Sequence, residues 1–338
     1  MQTTDTTPTS TDDQDDSTAP TDTHDSATPT DTTTDATDHT MTLATNDFLD
    51  IDDVTPAELD RLIDRAAALK AGEDDGSLDD MTLGMIFEKP STRTRVSFET
   101  GMTQLGGHAM FLGPEDIQLG HGEPLRDTAR VLGRYVDCVM GRLFDHADAE
   151  TLAAYADVPV VNGLTDEAHP CQTLADLLTI RETVGENATV AWVGDGNNVG
   201  QSFVVGAAMA GIDIEVATPA DYGMDPSVFE RAAAFGADVE PTTDPEAAVA
   251  DADIVYTDVW ISMGQEGLRA EKLDAFDGFQ VNDELLADTD AQVMHCLPAH
   301  RGEEITDDVM ESDRVLVWDQ AENRMHAQKA LLLELLDE

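Results

Sequence analysis

The run Lys89-Pro90-Ser91-Thr92-Arg93-Thr94-Arg95 sets hydroxyl and guanidinium side chains at consecutive positions. It follows an apolar stretch, Leu83 to Phe87, and precedes a segment in which Phe98, Met102 and Leu105 fall at i, i+4 and i+7. That pattern predicts a strand, a turn and the first turn of a helix. A helix N-terminus presents unpaired N–H groups and a partial positive charge, so the run suits a small, doubly charged phosphate compound.

Four further clusters carry groups capable of chemistry. Arg142 follows Gly141 at the end of an apolar run; alone, such an arginine reads as a surface ion-pair partner. His169 and Gln172, in His169-Pro170-Cys171-Gln172, lie one turn apart at the start of a predicted helix and project to one side. They suit donation to a carbonyl and acceptance from an amide, but alone they are more simply a helix cap and a solvated glutamine. Gly194 to Gly200, with Glu215 on the following strand, invites a dinucleotide-binding reading. Its spacing is GxGxxxG, one residue longer than that fingerprint. In His295-Cys296-Leu297-Pro298-Ala299-His300, the residues His295, Cys296 and His300 are of metal-ligand type. No regular spacing joins a fourth ligand to them, and Pro298 breaks any helix that would align them, which argues against zinc.

The elements that must position these clusters alternate along the chain. Apolar runs at 136–140, 158–161, 189–193, 212–218, 253–256 and 292–295 read as strands. Helical patterns fall at 169–185, 200–211, 226–236 and 322–336. The expected fold is α/β with two domains, each a mainly parallel sheet flanked by helices. Ligands of such sheets lie beyond the C-terminal ends of the strands, where the polar clusters fall.

Composition excludes several classes. The 338 residues include 70 Asp and Glu against 18 Lys and Arg, for a formal charge of −52. Residues 1–40 supply ten Asp and no other charged residue but histidine, so −42 remains on the following 298 residues. Such a field repels nucleic acid and anionic membranes. It resembles proteins adapted to high salt, in which mobile ions screen self-repulsion. Residues 1–40 are Thr, Asp, Ser and Pro-rich without large aliphatic or aromatic residues, apart from Met1, and are expected to form a disordered tail; patterned sequence begins at Met41. No apolar run reaches membrane-spanning length. The three cysteines, Cys138, Cys171 and Cys296, form no CxxC pair, which points to a reducing, cytoplasmic setting.

Taken together, the clusters carry a resemblance that none carries alone. Ser91–Arg95, His169–Gln172, Asp258-Val259-Trp260-Ile261-Ser262-Met263-Gly264, His295–Gly302 and Glu322-Asn323-Arg324 occur in the order and approximate spacing of the carbamoyltransferases. Over residues 41–338 the chain resembles the ornithine carbamoyltransferases of the aspartate/ornithine superfamily. Ser-Thr-Arg-Thr-Arg and His-Pro-x-Gln resemble the wider superfamily, and Asp-x-Trp-x-Ser-Met-Gly resembles the ornithine enzymes.

The resemblance implies carbamoyl transfer from carbamoyl phosphate to the δ-amine of ornithine, without metal or organic cofactor. It implies a carbamoyl phosphate domain at 41–168, with the C-terminal helix 321–338 packing back on it, and an ornithine domain at 169–320. Carbamoyl phosphate would be held by Ser91, Thr92, Arg93, Thr94, Arg142, His169, Gln172, Cys296, Leu297 and Arg324. Gln118 would enter from a neighbouring subunit of a homotrimer. Ornithine would meet Asn198, Asp258, Ser262 and Met263. Arg142, His169, Asp258 and Cys296 would be the catalytic residues. Three rival readings stand beside it: an aspartate carbamoyltransferase, a nicotinamide-dependent dehydrogenase built on Gly194–Gly200, and a non-catalytic tethering protein using the acidic tail.

Overall fold

Strands alternate with helices because apolar runs of four to six residues are separated by segments with helical spacing and strong caps. Thr55 opens α1 (Pro56–Ala71) as a capping box with Glu58, and Gly72 ends it in the left-handed region at φ 73°. A computed structural model describes residues 43–74, 76–114, 122–185 and 187–336. Gln118 and the acidic segment 1–40 lie outside the described residues.

β1 (Thr82–Phe87), β2 (His108–Leu112), β3 (Cys138–Arg142) and β4 (Val160–Leu164) form a parallel sheet in the order β2-β1-β3-β4. β5 (Thr189–Val193), β6 (Asp213–Ala217), β7 (Ile254–Thr257) and β8 (Gln292–His295) form a second parallel sheet in the order β6-β5-β7-β8. Between and after the strands run α2 (Thr92–Gln104), α3 (Leu125–Leu132), α4 (His146–Tyr155), α5 (Pro170–Thr183), α6 (Asn198–Ala210), α7 (Pro226–Ala234), α8 (Pro245–Val249), α9 (Arg269–Ala275), α10 (Asp307–Met310) and α11 (Val317–Leu336). The α/β class expected from the alternation is the one observed.

Each sheet is covered on both faces, as parallel sheets require. Leu83, Met85 and Phe87 of β1 turn to an inner core shared with Val190 and Trp192 of β5, Tyr256 and Phe203. Ile86 and Val139 turn to an outer core with Leu152 of α4, while Ala191, Val193 and Val255 turn to another with Phe276. The period of two along each strand thus separates three apolar clusters. α11 packs against α1, α2 and α5 and reaches β8, so one helix touches elements beside both sheets.

β3 and β4 run beyond the expected runs at 136–140 and 158–161. Gly141, Arg142, Asn162 and Leu164 continue the ladder with a register shift at Gly141/Arg142. The strand ends are therefore polar, and that places Arg142 at the mouth of the sheet.

The strand orders fix where ligands can reach. In the first sheet the direction of winding reverses between β1 and β3, and in the second between β5 and β7. The loops leaving those strands diverge and open a crevice at each C-terminal edge. They carry Lys89–Ser91 and Leu143–Asp145 in one sheet, and Gly194–Asn197 and Asp258–Ser262 in the other.

Candidate active site

One cleft of about 720 Å³ is lined from both crevices. Lys89, Ser91, Thr92, Arg93, Thr94, Arg142, His169 and Arg324 face it from one direction. Asn198, Asp258, Ser262, Met263, Cys296 and Leu297 face it from the other. Every expected site residue within the described set lines this cleft except Gln172, which is fully buried beside it.

The anion-binding end starts at the N-terminus of α2. Ser91 caps the helix by accepting from the Thr94 N–H at 3.2 Å. The N–H groups of Thr92 and Arg93 precede it in the first turn, where no intrahelical acceptor exists. Arg95 belongs to the same run but points outward, paired with Glu99 at 2.9 Å and stacked over Phe111. Arg324 enters from α11, donating to Thr94 Oγ1 at 2.9 Å and to Gln172 Oε1.

Arg142 is 6% exposed, and its Nε has no partner. Among the described residues, neither Arg93 nor Arg142 makes a side-chain hydrogen bond or ion pair, in a chain with 70 acidic residues. Burial pulls the Arg142 guanidinium down to about 10, and Arg324 and Arg93 push it the same way. Lys89 is likewise lowered, by burial and then by Arg142. Cations so crowded repel one another, and a dianion between them converts repulsion into charge-assisted bonds.

His169 precedes α5 but does not cap it; its backbone N–H donates to Ser202 Oγ at 2.9 Å, and its Nδ1 is buried without a partner. Burial, Arg324 and Arg142 hold its pKa well below the usual value, so the ring is neutral and can donate one N–H. The simpler cap-and-solvated-glutamine reading fails at both residues.

At the other end, Asp258 accepts from the Cys296 thiol at 3.1 Å and from Asn197 Nδ2 at 2.9 Å. Burial and the Asp258 charge push the Cys296 thiol well up, so it stays protonated and donates. Asn198 donates to the Thr165 carbonyl at 2.6 Å, tying α6 to the loop after β4. Ser262 and Met263 stand on the rim, with Met263 48% exposed, followed by Gly264 at φ 95°.

Lys272 carries a role that spacing did not reveal. It is buried, and its Nζ donates to Asp195 at 2.8 Å, the Trp260 carbonyl at 2.7 Å and Gln265 Oε1 at 2.9 Å. It clamps the Gly194–Asn197 loop to the rim loop. The only available signal was its rarity, as one of four lysines in the chain. Lys272→Met leaves Asp195 as a buried, unpaired carboxylate, so it should cost about 3 kcal/mol of unfolding free energy. Chemical denaturation checks this; a variant within about 0.5 kcal/mol of the parent would show that the clamp is dispensable.

The dinucleotide reading fails for a local reason. Asn197 accepts from the Val199 and Gly200 N–H groups at 3.0 and 3.1 Å, occupying the helix end that a pyrophosphate would need. A Cβ at Gly196 would lie 2.4 Å from the Gly223 backbone, so this glycine serves loop packing. Glu215 is exposed and does not line the cleft. The trio His295, Cys296 and His300 does not converge as a set; His295 and Cys296 lie together with Asp258. Leu297 N–H donates to His295 Nδ1 at 2.9 Å, which places the ring proton on Nε2, 3.1 Å from Glu304 Oε1. His300 groups instead with Glu303 and Glu304.

The cleft therefore joins an unpaired cationic cradle to a pocket with a carboxylate, amides and a hydroxyl, which is the donor set for a phosphate compound and an amino acid. Comparison with known proteins points the same way. Residues 46–182 match the carbamoyl-P binding domain of aspartate/ornithine carbamoyltransferase, and residues 186–335 match its Asp/Orn binding domain. An ornithine carbamoyltransferase of Haloquadratum walsbyi is 68% identical over 296 residues, covering 87% of this chain and 99% of its own. One of Methanoculleus marisnigri is 55% identical, covering 86% and 96%. The solved structure of ornithine carbamoyltransferase from Pyrococcus furiosus superposes with a TM-score of 0.82 at 50% identity, covering 88% of this chain and 98% of that one. With both halves matched across the cleft that their residues build, the chain belongs to the aspartate/ornithine carbamoyltransferase family, among the ornithine carbamoyltransferases.

Proposed function

We propose that the protein transfers the carbamoyl group of carbamoyl phosphate to the δ-amine of L-ornithine, giving L-citrulline and phosphate. The observation that carries this reading is the single cleft in which unpaired Arg93 and Arg142 face the Asp258–Cys296 pair.

On this reading the phosphate sits at the α2 N-terminus, bound by Ser91, Thr92, Arg93 and Thr94. Arg142 spans a phosphate oxygen and the carbonyl oxygen with its planar fork. Neutral His169 donates to the same carbonyl oxygen, on which negative charge grows in the tetrahedral state. Gln172 Oε1 keeps a second lone pair for the carbamoyl NH2, alongside the backbone at Cys296 and Leu297. Asp258 takes the α-ammonium of ornithine, and Asn198, Ser262 and the Met263 backbone take its carboxylate.

The neutral δ-amine attacks the carbonyl carbon; the new C–N bond forms as the C–O bond to phosphate breaks. The departing phosphate is the proposed acceptor of the amine proton. Because phosphate leaves as a stable anion, the residues chiefly position reactants and stabilise charge. Desolvation beside the protonated Cys296 thiol favours the neutral amine. The rim loop at Ser262–Gly264 closes over the substrates and excludes water from carbamoyl phosphate.

Resemblance supports residues 41–168 with the C-terminal helix as the carbamoyl phosphate half and 169–320 as the ornithine half. It also supports a homotrimer, or an assembly of trimers, into whose sites Gln118 enters from a neighbour. The reaction places the protein in arginine metabolism, in synthesis or in breakdown. Citrulline formation with ornithine against aspartate as the acceptor tests the substrate. A preference for aspartate would overturn the ornithine reading.

The charge of −52 supports a cytoplasm of high ionic strength as the working medium. At molar salt the screening length falls to about 3 Å, which removes most of the self-repulsion. Activity and the thermal midpoint should both rise steeply from dilute buffer to molar potassium chloride. Full cooperative stability in dilute buffer would contradict the salt requirement.

A further inference from the structure

Asp176 lies in the middle of α5 with no exposed surface, among Leu174, Leu177 and Leu178. An acid there needs a reason, and its partners supply one. Oδ1 accepts from Gln172 Nε2 at 2.8 Å and from Gln320 Nε2 at 2.7 Å. Oδ2 accepts from the Tyr256 hydroxyl at 2.9 Å. The three donors come from α5, α11 and β7, so the carboxylate joins elements beside both sheets.

The network has a direction. Arg324 is donor-only and takes the carbonyl end of Gln172, while Asp176 in its ionised form is acceptor-only and takes the amide end. A flipped Gln172 would face donor with donor at Arg324 and acceptor with acceptor at Asp176. Gln320 is oriented in the same way, because its Oε1 accepts from the His295 N–H at 3.0 Å. Arg324 in turn holds Thr94 Oγ1, at the helix end that forms the cradle. Burial pushes the Asp176 carboxyl up to about 7, while its three donors and Arg324 pull it down.

We propose that Asp176 is a positioning residue that acts through Gln172 to hold the Arg324 guanidinium at the anion cradle. It touches no substrate itself. This deepens the proposed function and rests on the cradle's role in that reading, but it is testable with inorganic phosphate alone. Phosphate carries no NH2 for Gln172 to bind, so any effect of Asp176 or Gln172 on its affinity must be indirect.

The test is a double-mutant cycle read by calorimetric titration of inorganic phosphate in molar potassium chloride. Arg324→Ala, Asp176→Leu and Gln172→Leu should each weaken phosphate binding about tenfold, the scale of one charge-assisted bond. In the Arg324→Ala background, Asp176→Leu and Gln172→Leu should each change it by less than about twofold, because the group they position is gone. Unchanged affinity in the single variants would overturn the proposal. So would equal factors in both backgrounds, which is the signature of general loosening. Asp176→Leu leaves three buried donors unpaired; if it does not fold, the Gln172→Leu cycle decides, since that change keeps Asp176 bonded to Gln320 and Tyr256. A parent protein that completes this cycle as expected yet makes no citrulline would sink the transferase reading and leave the positioning role standing.

Discussion

Arg142→Ala lowers the rate of citrulline formation at least about a hundredfold, the usual effect of removing one donor to a developing oxyanion. The expectation rests on where Arg142 stands. β3 extends two residues past its apolar run, so the guanidinium emerges at the winding reversal of the first sheet, buried and without a protein partner. Burial and the neighbouring Arg324 and Arg93 make its charge unfavourable there and lower its pKa to about 10, which an arriving anion would offset. Removing it should therefore leave the unliganded fold nearly as stable as before while activity collapses. Steady-state rates paired with thermal melts of the unliganded protein check both parts. Near-parental turnover would remove the assignment, and activity lost in step with the melting temperature would reassign Arg142 to the fold.

Asp258→Asn lowers kcat/KM for ornithine by about a hundredfold, because a buried charge-assisted contact to the α-ammonium is exchanged for a neutral one. The variant keeps the shape of the site, and its side-chain oxygen can still accept from Cys296 or Asn197. Affinity for carbamoyl phosphate should remain within about threefold, since Asp258 bonds to Asn197 and Cys296 and to none of the cradle side chains Ser91–Thr94, Arg142 and Arg324. Titration of carbamoyl phosphate beside an ornithine saturation series separates the two effects. Equal losses for both substrates would contradict the role given to Asp258.

Much of this arrangement is legible in the amino-acid sequence. Short apolar runs bounded by glycine, asparagine or charged residues announced the parallel strands, because strands buried on both faces must be continuously apolar. The cradle was legible because Ser91 to Arg95 combine a helix cap with cationic side chains, although Arg95 turned outward to Glu99 and Phe111. β2 was not among the expected strands although Ala109–Leu112 is apolar; it lies at the edge of its sheet and is only partly buried, beside a glycine pair at Gly106-Gly107 that interrupts the pattern before it.

The glycine loop kept a rival reading open for a physical reason. Loop-to-loop packing and pyrophosphate binding both need glycine; in the folded chain Gly196 lies against Gly223 while Asn197 fills the helix end, a juxtaposition that local spacing does not encode. His295 is of metal-ligand type, but the sequence already argued against zinc, and both ring nitrogens serve the fold, one bound by its own loop and the other by Glu304. Asp176 and Lys272 were the least visible. Their partners lie as many as 144 and 77 residues away in the chain, and no local spacing encodes a contact of that kind.

The central claim is that two substrates bind in one continuous cleft with their reacting atoms in line. Titration of a single molecule in which a phosphonoacetyl group is amide-linked to the δ-nitrogen of L-ornithine tests it most directly. If both ends engage at once, this compound should bind about a thousandfold more tightly than phosphonoacetamide and should exclude ornithine. Affinity no better than that of phosphonoacetamide, with ornithine still binding alongside, would show that the two sites do not meet.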